Sequence, residues 1–198
     1  MIVKKTVLCV MFMIWGPFCV AQESSTCVEQ YKIDKDHTNI LWYANRMGFS
    51  RTIGNFKNFD GVINLNNCNP AESDIYISID ISSISSGVTE LDDQLKSRTF
   101  FDVDNYPEAI FESTEIAVQE KNMANIKGNF TMLGHTREVI LNVRLNKRAI
   151  DPIINQMRVG YSIKTSIQRS LWGMNQLLAF VSDEINIVIE AEALKVLH

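Results

Sequence analysis

The chain has 198 residues, of which 46% are hydrophobic and 21% charged, and its formal net charge is −4. That length is about one domain's worth, and the acidic balance argues against a nucleic-acid partner. No internal repeat, low-complexity linker or second-domain boundary interrupts it.

Residues 1–21 read as a cleaved export signal. Lys4 and Lys5 form a basic start, Val7 to about Val20 an apolar run, and Cys19-Val20-Ala21 offers small residues where a signal peptidase reads, so cleavage is expected before Gln22. The run falls short of the ~20 apolar residues of a spanning helix, and Gly16-Pro17 breaks it, so no stable membrane span is expected. Removal leaves 177 residues with a net charge of −6 and takes away Cys9 and Cys19. Cys27 and Cys68 remain, an even number for an oxidising periplasmic or secreted location. They are a candidate disulfide, with two unrelated free thiols as the alternative. No Cys-x-x-Cys is present to support a thiol redox role.

After an N-terminal tail, residues 22–30, alternation of period two dominates. Asn39–Asn45 places Ile40, Trp42 and Ala44 on one face, and Ile75–Ile81 sets four isoleucines on one side. Val139–Leu145 and Ile185–Glu190 repeat the pattern, with shorter runs at Gly61–Leu65, Ile110–Ile116, Ile126–Met132 and Gly160–Ile167. These make about eight strands, suited to an antiparallel sheet with one dry and one wet face. Only Ser85–Phe100 has room for a helical turn or two. Without a βαβ rhythm, the strands must stack as a sandwich or close as a barrel.

Catalytic and metal constellations are sparse. Asp34, Asp36 and His37 lie close together but read more simply as turn and edge residues, and no metal site is expected. Asp92-Asp93 and Asp102-Val103-Asp104 could offer paired carboxylates, and a lipid- or amide-modifying enzyme would use Asp92, Asp93 or His37 as acid–base groups. The bland reading is solvated loop acids. No nucleophile–base pair accompanies them, and no catalytic residue is assigned. The abundant strand aromatics serve either as core packing or as the wall of a lumen, which in an eight-stranded barrel is wide enough for one small ligand.

Several motifs then occur in a recognisable order. Tyr31-x-Ile33-Asp34 with His37-Thr38 resembles the opening of the YceI-like family of exported polyisoprenoid-binding proteins. Met47-Gly48-Phe49-Ser50, Gly54-Asn55-Phe56 and Phe59-Asp60-Gly61 are similar to its glycine–phenylalanine turn region. Asp92–Ser97 with Phe100-Phe101-Asp102-Val103 and Tyr106-Pro107, Gly128–Thr131 with Gly134–Arg137, Arg169–Met174 and Val181–Glu184 continue the likeness across residues 31–192.

The resemblance implies a single domain, residues 31–198. Its fold would be an all-β, eight-stranded antiparallel, lipocalin-like barrel with a short helical insertion. No cofactor is required. The implied ligand is a long apolar or amphiphilic molecule: an isoprenoid quinone, a polyprenyl lipid, or a fatty amide or acid. A ligand-free, stress-related module is the other non-enzymatic reading, and a homodimer through edge strands is compatible with either. Strand parity and the matched segments nominate Ile40, Trp42, Ala44, Arg46, Phe49, Ile77, Ile79, Phe111, Phe130 and Trp172 for the lumen and mouth. Phe100 and Phe101 are nominated with them, expected to pin the insertion onto the barrel with one ring reaching towards the pocket mouth. Arg46 stands where many family members carry histidine, so it is either a candidate for an anionic headgroup at the mouth or an outward, solvated side chain. Val88-Thr89-Glu90 replaces the family's more usual arginine–aspartate pair ahead of Leu91.

Overall fold

The computed structural model describes residues 27–197. The expected export signal, residues 1–21, therefore lies outside the described residues. The alternating runs form β1 (Val28–Ile33), β2 (Asn39–Arg46), β3 (Ser50–Phe56), β4 (Phe59–Asn66), β5 (Asp74–Asp80) and β6 (Ile84–Ser85). After helix α1 (Thr89–Lys96) come β7 (Glu108–Glu120), β8 (Met123–Met132), β9 (His135–Ile150), β10 (Met157–Gln168) and β11 (Val181–Lys195).

These segments assemble into eight continuous strands. β11 pairs with both β1 and β2, while β1 pairs β4 and β2 pairs β3. Thus β1–β2 is one strand interrupted by the 3-10 turn Lys35–His37, and β3–β4 is one strand bent at Lys57-Asn58. β5–β6 is likewise interrupted by Ile81–Ser83. Every pairing is antiparallel and joins neighbours in the chain, and the β1–β11 ladder closes the barrel. Closure removes the edges that would otherwise recruit other strands.

The interruptions explain where sequence expectation and structure part. β1 begins at Val28, inside the expected tail, because its backbone is claimed by Asn66 to Val62 of β4. β3 has too few apolar residues to be read as a strand, yet its ladder to β2 runs from Ile40↔Phe56 to Arg46↔Ser50. The helix is shorter than Ser85–Phe100. The left-handed Gly87 (φ 80°) precedes it, Asp92 accepts from the Ser86 N–H and hydroxyl at 2.6 Å, and Phe101 N–H returns to Leu95 O at 2.9 Å.

Two glycines shape the interior. A Cβ on Gly54 would stand 2.1 Å from Trp42 Cζ2, and one on Gly128 would stand 2.4 Å from Phe111 Cζ. Each glycine lies beneath a large ring on the barrel wall, so the rings lie against the wall and the centre stays open. Gly128→Ala should therefore lower stability by about 1–3 kcal/mol by pushing Phe111 off its seat. Urea denaturation measures this, and a loss below about 0.5 kcal/mol would show that the ring can move freely.

Candidate ligand-binding lumen

The inward residues enclose a cavity of about 460 Å³. Its wall is mainly aliphatic: Ile33, Ile40, Ile63, Ile75, Ile77 and Ile79 on one side, and Val139, Leu141, Val143, Ile163, Ile187 and Ile189 on the other. Phe59, Phe111, Phe130 and Tyr161 complete it. A smaller chamber of about 110 Å³ continues towards α1, lined by Ala44, Ile81, Leu95, Phe100, Phe101, Met174 and Val181 among others. Trp42, Phe56, Ile79, Phe130, Ile167 and Ile187 line both chambers and form a waist between them. Trp42 Nε1–H is buried without a hydrogen-bond partner among the described residues, a donor that core packing alone leaves unmet.

The two ends of the lumen differ. At the α1 end, Phe101 meets Phe56 edge-on at 6.1 Å, and Trp172 meets Phe130 at 5.7 Å. Arg169, only 3% exposed, secures the following loop through four carbonyl oxygens, those of Met174, Gln176, Val181 and Ser182, at 2.7–3.1 Å. Burial draws its pKa below the usual arginine value. At the opposite end the wall turns polar, with Asn66, Asn67, Ser73, Glu120, Asn122 and Arg148.

Arg148 is the centre of that polar end. Its Nε donates to Tyr31 Oη at 3.2 Å, its Nη1 to Asn67 Oδ1 at 2.7 Å, and its Nη2 to Glu29. Lys195 Nζ reaches the other Glu29 oxygen at 2.7 Å, and this bond, against the opposing effect of burial, draws the Glu29 carboxyl from 4.5 down to about 2. Burial pushes the Tyr31 phenol up to about 12, keeping it a donor to Glu29 at 2.9 Å. The depressed Glu29 contributes stability above its unfolded value of 4.5, and that contribution disappears as pH falls from there to about 2. The stability difference between wild type and Glu29→Gln should therefore shrink across that interval in denaturation curves; a difference independent of pH would contradict it.

The same end carries the Cys27–Cys68 disulfide, with Cα atoms 5.5 Å apart. Asn67 N–H donates to Cys27 O at 2.8 Å, so the bridge ties the start of β1 to the loop forming part of the rim.

Of the residues nominated from sequence, Ile40, Trp42, Ile77, Ile79, Phe111 and Phe130 line the main cavity. Ala44, Phe100 and Phe101 line the smaller chamber. Arg46 and Phe49 stand outside both: Arg46 is exposed at the end of β2, and Phe49 is 84% exposed on the hairpin beyond it. Trp172 is buried but lines neither chamber; its Nε1–H donates to Phe130 O at 3.1 Å, making it a plug behind the wall. Arg148 was not nominated, since its setting in a polar stretch of β9 carries no inward signal.

The acid–base candidates do not converge. Asp92 serves Ser86 at the start of α1, whereas His37 Nδ1 contacts Asp34 at 2.9 Å between β1 and β2. Asp34, His37 and Glu192 bring ligand atoms within 4.8 Å of one another. Arg158, however, already bonds Asp34 at 2.6 Å, Asp151 at 2.7 Å and also Glu192, so the carboxylates are answered by a guanidinium.

A closed eight-stranded antiparallel barrel around an apolar lumen defines a lipocalin-like architecture. A YceI-like domain model matches residues 31–193, and the chain belongs to that family. It is 32% identical over 174 residues to UPF0312 protein plu2095 of Photorhabdus laumondii, covering 87% of this chain and 90% of that one. It is 29% identical over 173 residues to Protein YceI of Salmonella arizonae, covering 86% and 90%. In fold it resembles Burkholderia cenocepacia BcnA, with a TM-score of 0.74, 22% identity, and coverage of 81% of this chain and 98% of that one. A polyisoprenoid binding domain from Saccharophagus degradans has a TM-score of 0.62 at 13% identity, covering 84% and 98%. No helix among the described residues is long and apolar enough to cross a membrane.

Proposed function

We propose that the chain is an exported carrier that holds one long apolar or amphiphilic molecule in its lumen, an isoprenoid quinone, a polyprenyl lipid, or a fatty amide or acid, in the periplasm or outside the cell. One observation carries this reading: a cavity of about 460 Å³, aliphatic along its length and polar at one end. Its size falls within the ~300–1,000 Å³ of small-molecule sites. Each methylene buried there contributes about 0.8 kcal/mol without directional demands, which suits a flexible hydrocarbon. The Asn66, Asn67, Asn122 and Arg148 rim supplies polar contacts for a headgroup. The polyisoprenoid binding domain from Saccharophagus degradans, a neighbour in fold, supports the ligand class, and the basic, apolar stretch before Gln22 supports export.

Organic-solvent extraction of the protein from its native host, followed by mass spectrometry, should release a stoichiometric prenyl or acyl species. Leu141→Trp, which places an indole in the cavity, should reduce that yield at least about tenfold while the barrel still forms by circular dichroism. A clean extract from the wild-type protein would overturn the carrier reading.

A further inference from the structure

The loop after Trp172 and the hairpin between β2 and β3 touch at the α1 end of the barrel: Met47 N–H donates to Phe180 O at 3.0 Å, and Val181 pairs with Arg46. Together they expose Met47 (47%), Phe49 (84%), Leu177 (43%), Leu178 (41%) and Phe180 (54%). Two of these side chains stand on strained backbone. Met47 has φ 51° and Leu177 φ 57°, the left-handed region that costs a bulky side chain of order 1 kcal/mol. Leu133 also takes that conformation (φ 52°), but its side chain packs against the core. Met47 and Leu177 have no such return among the described residues: strain is maintained while apolar surface is left in water.

The charges on these two segments have one sign. Arg46 and Arg51 bracket the hairpin, neither forms a salt bridge among the described residues, and residues 170–182 contain no ionisable side chain. Beyond that run, Asp183 is occupied by the Ser170 N–H and hydroxyl at 2.8 and 2.7 Å. Other acids at the same end are Glu184, which follows Asp183 on β11 and accepts from Asn186 Nδ2 at 3.3 Å, and those of α1 and the turn after it, interspersed with Lys96 and Arg98. At the opposite end Ile150, Ile153 and Ile154 are exposed too, but none of them has a left-handed backbone, and that rim carries both signs, with Glu29 paired to Arg148 and Lys195.

We infer that the Arg46–Arg51 hairpin and the Leu177–Val181 loop form one docking tip that inserts into the headgroup region of an anionic lipid bilayer. A bilayer interface answers all three features at once: it solvates apolar side chains, it favours paired surface arginines, and it demands no shaped partner. Phe49 and Phe180 supply the inserted surface, while Arg46 and Arg51 contact lipid phosphates. The remainder of the acidic chain is repelled by the same surface, which orients the barrel tip-down. Because Met174 and Val181 also line the smaller chamber, movement of the docked loop would act directly on the lumen wall. The tip stands on its own geometry, independently of whether the lumen is loaded.

Vesicle sedimentation tests the tip, with the chain starting at Gln22 so that the apolar segment before it takes no part. Vesicles of phosphatidylcholine mixed with phosphatidylglycerol should bind the protein, and added salt or pure phosphatidylcholine should weaken binding. Arg46→Glu with Arg51→Glu should reduce affinity for the mixed vesicles at least about tenfold. Phe49→Ser with Phe180→Ser should reduce it about a hundredfold. All four positions are exposed, so unchanged circular dichroism and melting would show that folding is intact. Absence of binding by the wild type, or equal binding by both double variants, would overturn the inference. So would a wild-type dimer that Phe49→Ser with Phe180→Ser makes monomeric, without vesicle binding. Vesicle binding by a protein whose solvent extract is clean would retain the tip and reject the carrier.

Discussion

Arg169→Met is expected to be among the most damaging single substitutions outside the lumen, costing about 3 kcal/mol or more. The guanidinium is 3% exposed and meets no carboxylate; four main-chain carbonyls at 2.7–3.1 Å answer its donors. Methionine matches much of the buried volume but leaves those carbonyls without donors, at about 1–3 kcal/mol for each that water cannot reach. For a domain of this size that corresponds to a melting point lower by about 6–12 °C. Arg169→Lys should recover little, because one ammonium cannot span acceptors placed around a planar fork. Thermal unfolding of the three proteins provides the comparison; a methionine variant within about 1 kcal/mol of wild type would show that the loop from Met174 to Ser182 holds itself. A lost loop should also open the smaller chamber, since Met174 and Val181 are part of its wall.

Removing the Cys27–Cys68 bridge by paired serines should cost a comparable 2–4 kcal/mol. The cysteines are 41 residues apart in sequence, and the loop-closure model assigns about 4 kcal/mol to a bridge of that span. The measured loss should fall somewhat short of that, because β1 stays paired to both β4 and β11 when the bridge is cut. Urea unfolding with and without reductant separates the terms: reductant should lower wild-type stability to that of the serine pair and leave the serine pair itself unaffected. Equal wild-type curves in both conditions would mean the bridge contributes nothing. Since Asn66, Asn67, Pro70 and Ser73 all line the cavity, its loss should also loosen the polar rim.

Strand identity was most readable where one face is buried over a long run. Val139, Leu141, Val143 and Leu145 alternate because each meets the lumen, and Ile75, Ile77, Ile79 and Ile81 do the same across the barrel. β1 and β3 leave little trace in the alternation because they are short halves of interrupted strands, fixed by ladders to β4, β11 and β2, although Tyr31 and Ile33 of β1 are buried in the core. Trp172 was legible as buried but not as a plug, for it sits in a 3-10 turn where a period of two has no meaning.

The two arginines make the division clear. Arg46 shares parity with Ile40, Trp42 and Ala44, but by residue 46 β2 has reached the barrel's end, so there is no lumen left to face. Arg148 reaches the lumen because of a bulge: Tyr161 pairs with Leu145 and Gly160 with Lys147, leaving Asn146 as the extra residue. That one residue reverses the inward set, taking it from Leu145 to Arg148. By itself, then, the sequence carried the family in its ordered motifs, and through that resemblance the barrel, while alternation marked the apolar face of the long strands, because burial of one face writes itself into a period of two. Tertiary structure alone decided where each strand leaves the barrel, where a bulge reverses its parity, and hence which charges meet the lumen and which meet the outside. Those depend on the register between strands distant in sequence, and no local pattern records it.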